Sequence, residues 1–230
     1  PTTAGTGSEV TIASVVTNDI THQKYAINDP KLIPLYAVLD PIFLLSAPSN
    51  ITSTTGMDAL THAIEAYIGR NNTKKTKKEA LTAIKLIFDN LYKSYANPND
   101  IEAKSNMQIA SLKAGLAFTR AYVGYVHALA HALGAKYNIS HGLANAILLP
   151  TVMRFNGEVS WERFREILIH IGRPDAANLS KQDVINTFVW KISELAKECG
   201  VTMTVKDTGC KEEDLEMLAE KAMNDPCRPG

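Results

Sequence analysis

Gly56-Met57-Asp58-Ala59-Leu60-Thr61-His62-Ala63-Ile64-Glu65-Ala66-Tyr67 is the stretch that decides the architecture of this chain. Met57, Leu60, Ile64, Tyr67 and Ile68 recur at helical spacing, so the segment reads as a helix with one apolar stripe. Asp58 and His62 stand i and i+4 apart, which places both side chains on one face a turn apart. At about 100° per residue they flank the stripe and do not point into open water. A carboxylate and an imidazole so placed can share a divalent cation.

A second helical segment repeats the arrangement. In Val126-His127-Ala128-Leu129-Ala130-His131-Ala132-Leu133-Gly134, His127 and His131 are again i and i+4, beside the stripe of Val123, Val126, Ala130 and Leu133. Gly134 is expected to end or loosen this helix, and His141 to lie beyond it on a turn. Four of the six histidines therefore fall in two places, both beside helices that must bury a face. An Asp–His pair of this kind also fits a simple hydrogen-bonded helix pair. Two such pairs plus His141 strengthen the case for a metal. A three-histidine, one-carboxylate set suits Fe²⁺ or Zn²⁺ and is too nitrogen-rich for Mg²⁺ or Ca²⁺. His22 and His170 lack comparable partners and read as a loop residue and a helix-surface residue.

Outward from these segments the helical pattern continues. It runs through Ile84, Ile87, Phe88, Leu91, Tyr92 and Tyr95, and again through Ile109, Leu112 and Leu116. Further helices are expected at Trp161 to Ile171, Lys181 to Glu198 and Glu212 to Met223, with Ser180 and Asp183 as a capping-box-like start and Gly200 as a stop. The first fifty residues differ. Val10 to Val16, Lys24 to Ile27 and Leu35 to Leu39 read as short strands between Gly, Asn, Asp and Pro. Three strands without covering helices cannot bury both faces, so they are expected to belong to a sheet whose other strands lie upstream of Pro1. The expected fold is mostly α: an all-helical metal-binding domain over residues 49–230, preceded over residues 1–48 by a few strands of an α/β nucleotide-binding domain. The chain opens mid-motif at Pro1 without an initiator Met, and is expected to begin inside a longer natural chain.

Composition narrows the function classes. Hydrophobic residues make up 45% and charged residues 21%, an ordinary soluble profile. Twenty-four basic residues balance twenty-four acidic ones, so no global charge points to nucleic acid or an acidic membrane. The dense run Lys74, Lys75, Lys77 and Lys78 reads as a solvated helix start after the Asn71-Asn72 turn, with a phosphate-binding patch as the alternative. Cys199, Cys210 and Cys227 are an odd number without a CxxC pair, which implies a reducing compartment and no disulfide framework or zinc knuckle. No apolar run is long enough to span a bilayer and no signal peptide is visible, so a cytoplasmic protein is expected.

Three motifs carry a family resemblance. Gly56 to Glu65, His127 to Gly134 and His141-Gly142-Leu143-Ala144-Asn145-Ala146 resemble the signature stretches of iron-containing alcohol dehydrogenases. Pro1-Thr2-Thr3-Ala4-Gly5-Thr6-Gly7-Ser8-Glu9-Val10-Thr11 is similar to a third family motif that sits against the nicotinamide cofactor. The likeness runs from Pro1 to about Pro150, and the ending Pro226-Cys227-Arg228-Pro229-Gly230 resembles the family tail only loosely.

The resemblance implies Asp58, His62, His127 and His141 as ligands of Fe²⁺, with Zn²⁺ as the substitute. It implies His131 beside nicotinamide and substrate as a proton-relay group, with Thr2, Thr3, Thr6 and Lys24 at the NAD or NADP site. Simple turn chemistry for the threonines, and a solvated strand-end charge for Lys24, are the alternatives. The implied activity is hydride transfer between a small alcohol or aldehyde and NAD(P), in a homo-oligomer. Competing readings are a metal-dependent lyase of the dehydroquinate synthase type and a non-catalytic helical metal-binding fragment. Gly5-Thr6-Gly7 is followed by a strand-like run and offers no helix N-terminus to a pyrophosphate. The family's pyrophosphate loop is expected upstream of Pro1, and these residues alone are expected to bind dinucleotide weakly or not at all.

Overall fold

The structure is a computed structural model that describes residues 1–19 and 24–228. Among these, a two-stranded antiparallel hairpin is followed by seven α-helices. Strand β1 (Ala13–Thr17) pairs with β2 (Lys24–Asn28), with Ala13 opposite Asn28 and Thr17 opposite Lys24. The helices are α1 (Ser49–Ile68), α2 (Lys74–Ala96), α3 (Ile101–Ala121), α4 (Tyr125–Tyr137), α5 (His141–His170), α6 (Lys181–Glu198) and α7 (Leu215–Met223). The mostly α architecture is as expected.

Helix α1 is the centre of the molecule. It packs against α2, α3 and α5, and every residue from Gly56 to Tyr67 is buried. One apolar stripe therefore understates its surroundings, because a helix covered on all sides shows little amphipathic contrast. Helices α2 and α6 are conventionally two-faced: Ala80, Ala83, Ile84, Ile87 and Leu91 face inward on one, and Val184, Ile185, Phe188 and Ile192 on the other. Thr73 and Thr76 form a reciprocal capping box at the start of α2, so Lys74, Lys75 and Lys78 stand in solvent as expected. Ser180 accepts from the Asp183 N–H at the start of α6. The main core is built from α1, α2, α3, α5 and α6, and a smaller one joins α4 to α7 through Ala132, Leu133 and Leu218.

Several expectations are corrected. Leu35 to Leu39 forms no strand: Leu35, Tyr36 and Val38 are 93%, 88% and 78% exposed, and nothing among the described residues pairs with the segment. A strand exists only as a paired element, so an apolar run without a neighbour stays irregular. Val10 to Val16 divides, with Ser8–Val10 in a 3₁₀ turn and the strand beginning at Ala13. Gly134 does not end α4; the helix continues to Tyr137, and Asn138 in the left-handed region closes it with its N–H on the Gly134 carbonyl. His141 is not on a turn but opens α5, a 30-residue helix that runs through Pro150 and includes the segment expected at Trp161 to Ile171. Packing on α1, α4 and α6 carries α5 past the proline. No described helix is long and apolar enough to cross a membrane.

Candidate metal centre

Helix α1 supplies Asp58 and His62, the first turn of α4 supplies His127, and the first residue of α5 is His141. One oxygen of Asp58 is the focus. Its Oδ1 lies 3.4 Å from His141 Nε2, 3.7 Å from His127 Nε2 and 4.0 Å from His62 Nε2. All four residues offer ligand atoms within 4.8 Å of one another. The i, i+4 spacing thus meets its partners from two other helices. His131, which the same spacing could not distinguish from a ligand, falls outside this foursome, its ring 5.2 Å from that of His141.

Local structure holds each member in place. Gly142 lets the start of α5 press on α1, since a Cβ there would lie 2.5 Å from the Thr54 carbonyl oxygen. Asn145, fully buried one turn later, donates from Nδ2 to Asp58 Oδ1 at 2.7 Å and sits 3.1 Å from His141 Nε2. His62 stacks between Phe118 and His127, with centroids at 4.2 and 4.5 Å. His127 is oriented by Glu65, whose Oε2 is 2.6 Å from His127 Nδ1. Glu65 also accepts from Gly124 N–H at 2.9 Å and Val126 N–H at 2.7 Å. Gly124 gives α4 no side-chain cap, so this carboxylate from α1 serves the helix start instead.

The loop that feeds α4 is strained. Tyr122 has φ 63° and ψ −176°, a region essentially reserved for glycine. The two bonds from Glu65 hold this connection against that cost.

The donor set fits a transition-metal ion. With Nδ1 committed to Glu65, His127 presents Nε2 to the cluster, yet that buried nitrogen has no hydrogen-bond partner among the described residues; 3.7 Å to Asp58 is too long for one. Ligand atoms about 2.1 Å from a common ion stand about 3–4 Å apart, close to the spacing found here. A carboxylate behind a histidine ligand is the usual outer support of such a site.

Burial and charge oppose one another across the cluster. Burial pulls His62 down to about 4 and His141 down to about 3, which keeps both imidazoles neutral near neutral pH. Burial also acts on His127, but the carboxylates of Asp58 and Glu65 outweigh it and push His127 up to about 9. Asp58 is held below the usual carboxylate range, because the surrounding histidines outweigh its burial. His141 and His131 side chains are each 34% exposed, so the cluster is open on one edge.

The other expected site residues lie in the opening loop, whose Gly5 backbone reaches His62, or outside the described residues. Thr2 and Thr6 are exposed and Thr3 half-buried in the opening loop, where Gly5 packs on Thr55 of α1 and Thr6 Oγ1 accepts from the Ser8 N–H. The backbone of Lys24 starts β2, but its side chain and His22 lie outside the described residues. Glu65 and Asn145 were missed as site residues. Glu65 and Asn145 stand within the quoted motifs, Glu65 three residues after His62 and Asn145 four after His141, and that helical spacing was the available signal.

Residues 52–230 match the family model described as Fe-containing alcohol dehydrogenase family, C-terminal, and residues 1–41 match that described as iron-containing alcohol dehydrogenase. The chain belongs to the iron-containing alcohol dehydrogenase family. The resemblance seen in the three motifs is borne out over nearly the whole chain. The 1,3-propanediol dehydrogenase of Citrobacter freundii is 42% identical over 224 residues, 97% of this chain and 58% of that protein. The NAD-dependent methanol dehydrogenase of Bacillus methanolicus is 38% identical over 226 residues, covering 98% of this chain and 59% of its own. Among solved structures, a 1,3-propanediol oxidoreductase superposes with a TM-score of 0.94 at 40% identity, over 99% of this chain and 59% of that one. The chain therefore spans somewhat more than half the length of these iron-containing alcohol dehydrogenases.

Proposed function

We propose that this chain is the metal-binding part of an NAD(P)-dependent alcohol dehydrogenase, with Asp58, His62, His127 and His141 holding Fe²⁺ or, in its place, Zn²⁺. The observation that carries the reading is the convergence of three imidazole Nε2 atoms on Asp58 Oδ1, with the buried His127 Nε2 left unpartnered among the described residues. An ion held by these four residues would supply Lewis acidity that eases loss of the hydroxyl proton from an alcohol, and a nicotinamide would supply the hydride acceptor. The chain's own part is to orient and to move a proton. Glu65 fixes the His127 ring; His131, partly open to solvent, accepts the hydroxyl proton and passes it outward.

In this reading residues 1–48 belong to the cofactor-binding domain and residues 49–230 form the catalytic domain. Thr2, Thr3, Thr6 and Lys24 line the nicotinamide site. The substrate is a short alcohol, diol or aldehyde, as the names of the relatives suggest. The enzyme works as a cytoplasmic homo-oligomer.

The test compares variants of the enzyme at its natural length, purified anaerobically. His127→Ala should abolish stoichiometric metal, whereas His131→Ala should keep it and slow turnover. Full metal retention by His127→Ala overturns the ligand set. Stoichiometric reduction of NAD or NADP by a short alcohol separates a dehydrogenase from the lyase reading, which consumes no nicotinamide overall.

A further inference from the structure

Outside the four converging residues, a second cluster unites His131, Asp225 and Cys227. His131 lies on α4, and the other two on the turn that follows α7. His131 Nδ1 is 2.9 Å from Asp225 Oδ2, across 94 residues of sequence. That carboxylate is itself tethered. Its Oδ1 accepts from the Cys227 N–H at 2.8 Å, the Asp225 N–H donates to the Ala222 carbonyl at 3.2 Å, and the Arg228 N–H donates to the Asp225 carbonyl at 3.1 Å. Helix α7 brings this turn to α4 by docking on it, through Leu218 against Ala132 and Leu133 and through the Tyr137 hydroxyl, which donates to Asp214 Oδ2 at 2.5 Å.

An ionised carboxylate only accepts, so Nδ1 of a neutral His131 must carry the proton. Nε2 then bears the lone pair. It has no protein partner among the described residues, and about a third of the side chain is open. The Asp225 carboxyl is held below the usual carboxylate range, since the His131 and Cys227 bonds outweigh its partial burial, so it stays ionised. The neighbouring Cys227 thiol is pushed up to about 12 by burial and remains a neutral group.

We infer that Asp225 is the positioning residue for His131: it fixes the imidazole in the Nδ1–H tautomer and leaves Nε2 as the free base that receives the substrate's hydroxyl proton. The inference rests on the proposed dehydrogenase reading for its role and, for the tautomer, on the geometry of the His131–Asp225 pair. In the step, the substrate O–H bond breaks and an Nε2–H bond forms. The resulting imidazolium is balanced by the Asp225 carboxylate, and the proton leaves from Nε2 to solvent. Asp225 touches no reacting atom.

Two readouts test it. Long-range ¹H–¹⁵N spectra of the zinc-loaded protein should show His131 protonated on Nδ1 in the wild type. In Asp225→Ala it should shift to the Nε2–H form that imidazole prefers when unconstrained. An unchanged tautomer overturns the inference whether or not the enzyme is active. In the natural-length enzyme, Asp225→Ala should lower kcat by about 10- to 100-fold with a smaller change in KM and unchanged metal content, and Asp225→Glu should recover part of the loss. Wild-type kcat in Asp225→Ala refutes the positioning role, while absence of any dehydrogenase turnover in the wild type, with the tautomer shift intact, refutes only the functional reading. Two ions per chain, one of them lost in Cys227→Ala, would also overturn it, because Nδ1 would then be a ligand and not a donor.

Discussion

Glu65 shows how far a single side chain reaches in this protein. It is buried, and its two carboxyl oxygens meet two backbone amides and one imidazole. Glu65→Gln keeps the shape but removes the charge that holds Nδ1–H of His127. Metal affinity should fall by about 10- to 100-fold, measured by competition with a chelator. Wild-type affinity in that variant would mean His127 is oriented by packing alone. Tyr122 offers a test with the opposite sign. Tyr122→Gly should raise stability by about 1 kcal/mol in urea denaturation, since it releases a backbone conformation costly to any side chain while the Tyr122 ring is already 61% exposed. A loss of stability would show that the ring contributes more than the strain removes. At this scale the sequence was legible where partners are close along the chain, as for Asp58 with His62. It was silent where they are far, as for Glu65 with His127 and Asp225 with His131, because periodicity describes one helix and not the helix that meets it.

Among the elements, α5 is the one whose placement the site depends on. Its first residue is a member of the cluster, its second is the glycine that touches the α1 backbone, and its fifth is Asn145. Gly142→Ala should push the helix start off Thr54 and move His141 away from Asp58. A destabilisation of about 1–3 kcal/mol is expected, together with weaker metal binding; equal metal affinity in the variant would show that the contact is easily relieved. The helical elements were largely readable, and α6 runs from Lys181 to Glu198 as its caps indicate. The beginning of α5 was not, because Gly134, Asn138 and Ser140 look like one continuous loop while the cap at Asn138 and the new helix at His141 lie only three residues apart. Leu35 to Leu39 failed for the converse reason: its composition is that of a strand, but a strand is a relation between two segments.

For the whole molecule, the charges of the cluster set a pH profile for the metal-free protein. Unfolded imidazoles take up protons as pH falls through 6.5, while folded His62 and His141 stay neutral down to about 4 and about 3. The unfolded chain then binds more protons, and stability falls between pH 6.5 and 4. Asp58, depressed in the fold, extends that loss at lower pH. His127 works the other way: its contribution is complete below 6.5 and is lost as pH rises through about 9. The urea midpoint of metal-free protein should therefore peak near pH 6.5 and decline on both sides; a midpoint that climbs steadily from pH 5 to 9 would contradict these assignments.

Helix α7 buries only Leu218 and Ala222, whereas α1 is enclosed on every side. Spontaneous opening of the native protein should begin at that lightly anchored flank, with its amides exchanging long before those of the central helix. Each such excursion would carry Asp225 away from α4 while leaving Asp58, His62, His127 and His141 together. Under the proposed assignment, loosening of this short helix would disturb the setting of His131 before it disturbed the four converging side chains.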